Sequence, residues 1–344
     1  LRHGRIGLNP EDSIMMTFSP RRALLAGAMS LICAAASAAT HTYTYTLIAV
    51  PNAASTNPIA INKAGVVLGY WNDQYYNEHG FTYQNGTITS FDVPNSVNTI
   101  PTGIDDKGAI VGTYQDANYN SHGFTLSARG VFKSVDLPGS TYTGFDTVSR
   151  NGIAVGGGTD SSGNLEVFTY KKGVFTTAVD NGQTPIPSGI NNKGAIAGTF
   201  EAPHTYETGF LYENGTLTTI SSPNFFFVQS YGINNEGVVV GQVANTMGQE
   251  FGFTFKNGVL KAFGPPGSTD SFFTGINDHN LIAGVTFDAN YNSSGFVYDH
   301  GDFSTLSING VQGVGATGIN ESGLVIGDYY DNTGSKTFLA TPSN

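Results

Sequence analysis

The densest grouping of chemically versatile side chains is Glu201-Ala202-Pro203-His204-Thr205-Tyr206-Glu207, where a His, a Tyr and two carboxylates fall within seven residues. His with Glu can ligate a metal, and His with Tyr can work as a base and acid pair, as sugar lyase chemistry requires. If the chain is an enzyme, its catalytic set is expected to be His204, Tyr206, Glu201 and Glu207, with Glu166 and Glu250 added by neighbouring loops. The plainer explanation is a lone His solvated in a polar surface loop. Neither a G-x-S-x-G nor an H-E-x-x-H motif occurs, and the run Gly156-Gly157-Gly158 precedes no helical pattern, which argues against a phosphate cradle.

Two other segments alternate oxygen-bearing side chains and are identical over five residues, Asp116-Ala117-Asn118-Tyr119-Asn120 and Asp288-Ala289-Asn290-Tyr291-Asn292. Calcium loops place ligands in this way, so Asp116, Asn118 and Asn120, and again Asp288, Asn290 and Asn292, form candidate Ca²⁺ sites; no other cofactor is expected. Neither segment has the glycine and terminal Glu of an EF-hand. Asp and Asn also open turns by bonding to their own backbone. That property accounts for the equivalent positions Asp73, Asp116, Asp160, Asn245, Asp288 and Asp331, and the fourth unit departs from it with Ala202. Aromatic residues gather in the same loops. A phenol can stack on a sugar face while its hydroxyl bonds the ring substituents, so the expected ligand-binding set is Tyr75, Tyr76, Tyr119, His204, Tyr206, Tyr291 and Tyr330. Trp71 aligns with Tyr114, Phe200 and Tyr329 near a strand end and reads as packing.

These loops recur because the chain repeats. The triplets Ala60-Ile61-Asn62, Gly103-Ile104-Asp105, Thr147-Val148-Ser149, Gly189-Ile190-Asn191, Gly232-Ile233-Asn234, Gly275-Ile276-Asn277 and Gly318-Ile319-Asn320 are spaced by 43, 44, 42, 43, 43 and 43 residues. Such a period, with several short strands per repeat, predicts propeller blades. Each triplet opens a turn that closes on Gly65, Gly108, Gly152, Gly194, Gly237, Asn280 or Gly323, the residue types that tolerate positive φ. Alternating apolar segments such as Ala109–Tyr114, Gly123–Leu126 and Val131–Val135 give four strands per unit. The seventh unit has no room for a fourth strand, whereas Thr44–Pro51 matches the fourth strand of other units. The expected fold is therefore an all-β, seven-bladed β-propeller of four antiparallel strands per blade, its last blade closed by the N-terminal strand, spanning 40–344.

Residues 1–39 read as an upstream extension plus a cleaved signal peptide. Arg21 and Arg22 precede an apolar run from Ala23 to Ala36, with small residues near Ala38 and Ala39 suited to cleavage. Pro20 departs from the usual twin-arginine pattern. The run is short of the ~20 residues that span a bilayer, so a secreted or periplasmic protein with no membrane span after cleavage is expected. Cys33, the sole cysteine, lies in this leader, so thiolate catalysis, disulfides and Cys metal sites are excluded from the remainder. The whole chain carries a net charge of −11 and only 12% charged residues. Such a balance disfavours nucleic acid and anionic lipid as partners. Glycine, at 45 of 344 residues, disfavours long helices.

The repeats resemble the extracellular HAF-repeat family of secreted bacterial proteins, named for a His-Ala-Phe tripeptide within a Gly-Ile-Asn-containing repeat. Here the tripeptide reads His79-Gly80-Phe81 and His122-Gly123-Phe124, with Glu166, Thr208, Phe251, Ser294 and Lys336 in place of His elsewhere. The resemblance covers residues 44 to 341 and implies an exported propeller; it transfers no catalytic residues. Export and loops rich in Tyr, Asn, Ser and Thr point first to a monomeric, non-enzymatic module binding carbohydrate or another extracellular ligand. The alternatives are a polysaccharide lyase or glycoside hydrolase with its site on the loop face, and a structural matrix or envelope protein.

Overall fold

A computed structural model describes residues 41–160, 165–179, 184–201 and 207–343. They form seven four-stranded antiparallel sheets, each built in chain order from an innermost to an outermost strand. The seventh sheet is the exception that closes the ring: Thr42–Ile48 pairs antiparallel with Gly334–Ser343, from Thr42 opposite Ser343 to Ile48 opposite Thr337. This strand takes the outermost place in the final blade, as the repeat arithmetic requires, and holds the two ends of the propeller together through backbone hydrogen bonds.

Sequence dictates the blade interior through two columns. The Phe of the third strand is wholly buried in every blade, at Phe81, Phe124, Phe168, Phe210, Phe253, Phe296 and Phe338. Burial of each ring contributes roughly 1.5–3 kcal/mol. A glycine on the second strand makes room for it: a Cβ on Gly112 would lie 2.3 Å from the Ile100 carbonyl and 2.7 Å from the Phe124 ring. Clusters such as Leu68 with Val93, Ile104, Ile110 and Phe124 then join one blade to the next.

The Gly-Ile-Asn turn does more than reverse the chain. Asn277 Oδ1 accepts the amides of His279 and Leu281, both at 3.0 Å, while its Nδ2 donates 2.9 Å to the Asn320 carbonyl of the next blade. The same donation runs from Asn191 to Asn234, from Asn234 to Asn277, from Asn320 to Asn62 across the closure, and from Asn62 to Asp105. Asp105 has no amide to pass on, and Asn151 makes the link from the third blade to Asn192. Arg150 adds a bracket between distant blades, its guanidinium meeting Asp278 at 2.8 Å and also Glu321. Among the described residues no helix is long and apolar enough to cross a membrane.

Candidate binding face

Antiparallel order sends the second-to-third-strand loops and the blade-to-blade connections to one face, opposite the Asn turns. In the first of these loops Asp73 Oδ1 accepts the amides of Tyr75 at 2.7 Å and Asn77 at 2.9 Å, and Asp73 Oδ2 accepts Asn77 Nδ2 at 2.9 Å. Asp116 repeats this with Asn118 and Asn120, and Asp288 with Asn290 and Asn292. Both carboxylate oxygens are thus engaged within the loop. The Asn120 side chain and backbone amide hold the Asp116 carboxyl below its ordinary range, and Asn292 does the same for Asp288. Asn120 and Asn292 turn their NH₂ groups towards the Asp, so a cation in either loop would have to displace these bonds. Among the described residues no group of three or more His, Cys, Asp or Glu side chains is arranged to hold a metal.

The Asx geometry lifts a tyrosine onto each apex. Tyr76, Tyr119 and Tyr291 adopt φ of 66°, 64° and 62°. A left-handed conformation is unusual for a bulky side chain; the fifth blade has Gly248 at the equivalent place, with φ of 78°. All three phenols stand in solvent, with Tyr291 79% exposed, and Tyr75 is also exposed. Tyr291 and Tyr330 line one open cleft of about 600 Å³ between the sixth and seventh blades, with Asn292, Ser293, Asp331 and Asn332 also on its walls. The cleft brings together two of the sequence-predicted tyrosines. Tyr75 and Tyr76 occupy the first loop and Tyr119 the second, each outside this cleft.

The fourth-blade loop is only partly described. His204 and Tyr206 lie outside the described residues, as does the side chain of Glu201. Glu207 accepts a hydrogen bond from Gln229 Nε2 and Glu166 one from the Thr177 hydroxyl, while burial raises the Glu250 carboxyl.

The repeat histidines are braced. His79 Nδ1 meets Asp92 Oδ1 at 2.9 Å, its ring stacks on Trp71 at 4.3 Å, and its Nε2 lies 3.8 Å from Asp73. His122 repeats this with Asp136, Tyr114 and Asp116. They tie the third strand, the outer strand and the loop together, and Trp71 is part of that packing.

Sequence reading missed a polar network inside the ring. Glu207, Gln229, Tyr231 and Gln242 connect in that order, with the Tyr231 hydroxyl 2.7 Å from Gln229 Oε1 and 2.9 Å from Gln242 Oε1. The available signal was a departure from the repeat. Tyr231 occupies the bulged position of an innermost strand that is Thr102, Ser188, Thr274 or Thr317 in four other blades.

No family model matches the chain, and no curated protein matches it. Solved structures do. The β-propeller domain of the Trilobed protease from Pyrococcus furiosus, described as having an open velcro topology, aligns with a TM-score of 0.58 at 10% identity, covering 84% of this chain and 97% of that one. A Mycobacterium tuberculosis puromycin-hydrolyzing peptidase gives 0.58 at 11% identity over 85% of this chain and 52% of that chain. Pyrococcus horikoshii acylaminoacyl peptidase gives 0.56 at 10% identity, over 85% and 53%. This chain spans about half the length of the two peptidases. The likeness establishes a propeller fold. At such identities it carries no activity across.

Proposed function

We propose that the chain is an exported, non-catalytic propeller of the HAF-repeat type that binds a neutral, hydroxyl-rich extracellular ligand, a glycan, on its loop face. The observation that carries this reading is the cleft lined by Tyr291 and Tyr330 together with the polar side chains of Asn292, Ser293, Asp331 and Asn332. Phenol faces stack on the apolar side of a sugar ring, and the intervening polar groups meet its hydroxyls. The loop carboxylates of Asp73, Asp116 and Asp288 are already satisfied by their own loops, whereas Asp331 on the cleft wall uses only Oδ1, on Thr333; a carboxylate there disfavours an anionic ligand and leaves an acceptor for a ligand hydroxyl. Left-handed Tyr76, Tyr119 and Tyr291 support it further, because a conformation that disfavours large side chains is retained where each phenol projects into solvent.

A glycan array probed with the purified protein, with and without a chelator, tests this. The expected result is binding of neutral glycans that survives chelation and is lost in the Tyr291→Ala/Tyr330→Ala variant. Turnover of any bound glycan, or binding indifferent to both tyrosines, contradicts it.

A further inference from the structure

The exposed tyrosines are distributed unevenly around the ring. Tyr291 stands on the sixth blade, Tyr330 on the seventh, Tyr75 and Tyr76 on the first and Tyr119 on the second, each between 62% and 80% exposed. These four blades are consecutive only because the ring closes, as the inter-blade bonds from Asn277 to Asn320, from Asn320 to Asn62 and from Asn62 to Asp105 show. The fold itself does not call for the phenols. In the fifth blade Asn245 Oδ1 accepts the amides of Met247 and Gln249 in the same turn, with Gly248 at the apex. The third-unit loop, Ser161-Ser162-Gly163-Asn164, contains no aromatic residue.

Spacing sets the size of ligand that such an arrangement can use. Tyr76, Tyr119 and Tyr291 each follow the loop Asp by three residues in loops braced by the same hydrogen bonds, so they are equivalent points on the face. Sheets packed face to face lie about 10 Å apart, which separates neighbouring apices by about that distance or more. A single sugar ring does not reach from one apex to the next. A ligand confined to the cleft of Tyr291 and Tyr330 leaves Tyr75, Tyr76 and Tyr119 untouched. Between those apices the carboxylates of Asp73 and Asp116 are closed on Asn77 and Asn120 of their own loops, so no free carboxylate of theirs interrupts the path.

We infer that these tyrosines form one track over four blades, and that the ligand is a polysaccharide chain lying along it, not a terminal sugar or a short oligosaccharide. The inference rests on the glycan reading above and adds to it the length and path of the ligand. Once one stretch of a chain is seated in the cleft, its later rings are held at high effective concentration over the next apices. Affinity then grows with chain length until the track is filled. The phenols stack on successive ring faces, and hydroxyl groups at the ring edges stay in water or meet the loop amides.

The test titrates the full chain with four neutral polysaccharides, dextran, laminarin, mannan and arabinoxylan, and with isomaltotriose, laminaritriose, mannotriose and xylotriose as their short counterparts. At least one polymer should bind about tenfold or more tighter than its trisaccharide. A long chain also offers more registers to a single cleft, so a variant decides the matter. Tyr75→Asn/Tyr76→Asn/Tyr119→Asn, in which Asn suits the left-handed apex, should lose most of that gain, keep the trisaccharide affinity and melt like the parent. Tyr291→Ala/Tyr330→Ala should lose both. Polymer affinity unchanged in the triple variant, or no gain of polymer over trisaccharide, overturns the track and leaves the cleft reading standing. Absence of binding by every polymer and every trisaccharide overturns the two together.

Discussion

Both faces of the propeller use the same local device and put it to different ends. On the turn face Asn277 Oδ1 accepts the amides two and four residues ahead, and on the loop face Asp288 Oδ1 does likewise. The remaining atom makes the difference. Asn277 donates its spare amide to Asn320 of the next blade, so the turn is buried and shared. Asp288 spends its second oxygen on Asn292 of its own loop. A turn joined to its neighbours stabilises the ring, whereas a loop closed on itself can change its apex residue without disturbing the blades.

The largest effect should come from breaking a shared turn. Asn277→Ala removes the side-chain acceptor of two backbone amides and one inter-blade donor at a fully buried position and should cost about 3 kcal/mol in urea unfolding, whereas the exposed Asp288→Ala should lower the midpoint far less. A larger loss from Asp288→Ala would undo the contrast. Arg150→Met leaves Asp278 and Glu321 facing each other without their cation, and since all three are less than a third exposed it should cost about 2 kcal/mol. Asp105→Asn would supply the donor missing between the second and third blades and should gain about 1 kcal/mol. If it gains nothing, the inter-blade amide matters less than the turn it closes.

Asp146 offers a pH test of the ring's axis. It lies at the bulge of an innermost strand with its side chain reaching solvent, and the protein crowded around it desolvates the carboxyl and pushes it up to about 7. The native state therefore holds a proton that the unfolded chain releases near pH 4. Its contribution is neutral below that value, becomes increasingly unfavourable as pH rises to about 7, and is constant above. Asp146→Asn should then raise the melting temperature little at pH 4 and more at pH 8, by a modest amount because water in the channel screens the charge. The smallest change is expected for Tyr119→Gly, which relieves a left-handed tyrosine and should leave stability within about 1 kcal/mol of the parent.

The ring was legible because its determinants repeat. Six of seven turn-closing positions are Gly, and the match of Thr44–Pro51 to a fourth strand predicts the pairing of Thr42–Ile48 with Gly334–Ser343. The tyrosine apices were legible too, since Asp116 and Asp288 start identical loops. The role of the Asn amide was hidden by a sufficient local explanation: capping accounts for Asn62 or Asn277 without any neighbour, and the bond to the next blade spans 43 residues. Gln229, Tyr231 and Gln242 escaped notice, although Glu207 beside them was singled out, because they come from two strands and repeat nowhere as a set. Arg150 reads as an ordinary surface charge until the ring sets it against the sixth and seventh blades.

The most direct test measures stability and glycan affinity together in two single variants, Asn277→Ala and Tyr291→Ala, using a glycan that the parent protein binds. The predicted outcome is a crossed pattern, in which Asn277→Ala unfolds at lower urea with unchanged affinity while folded, and Tyr291→Ala unfolds like the parent and loses most of its affinity. Parallel loss of both properties in both variants, or full affinity in Tyr291→Ala, would contradict the division of labour between the two faces.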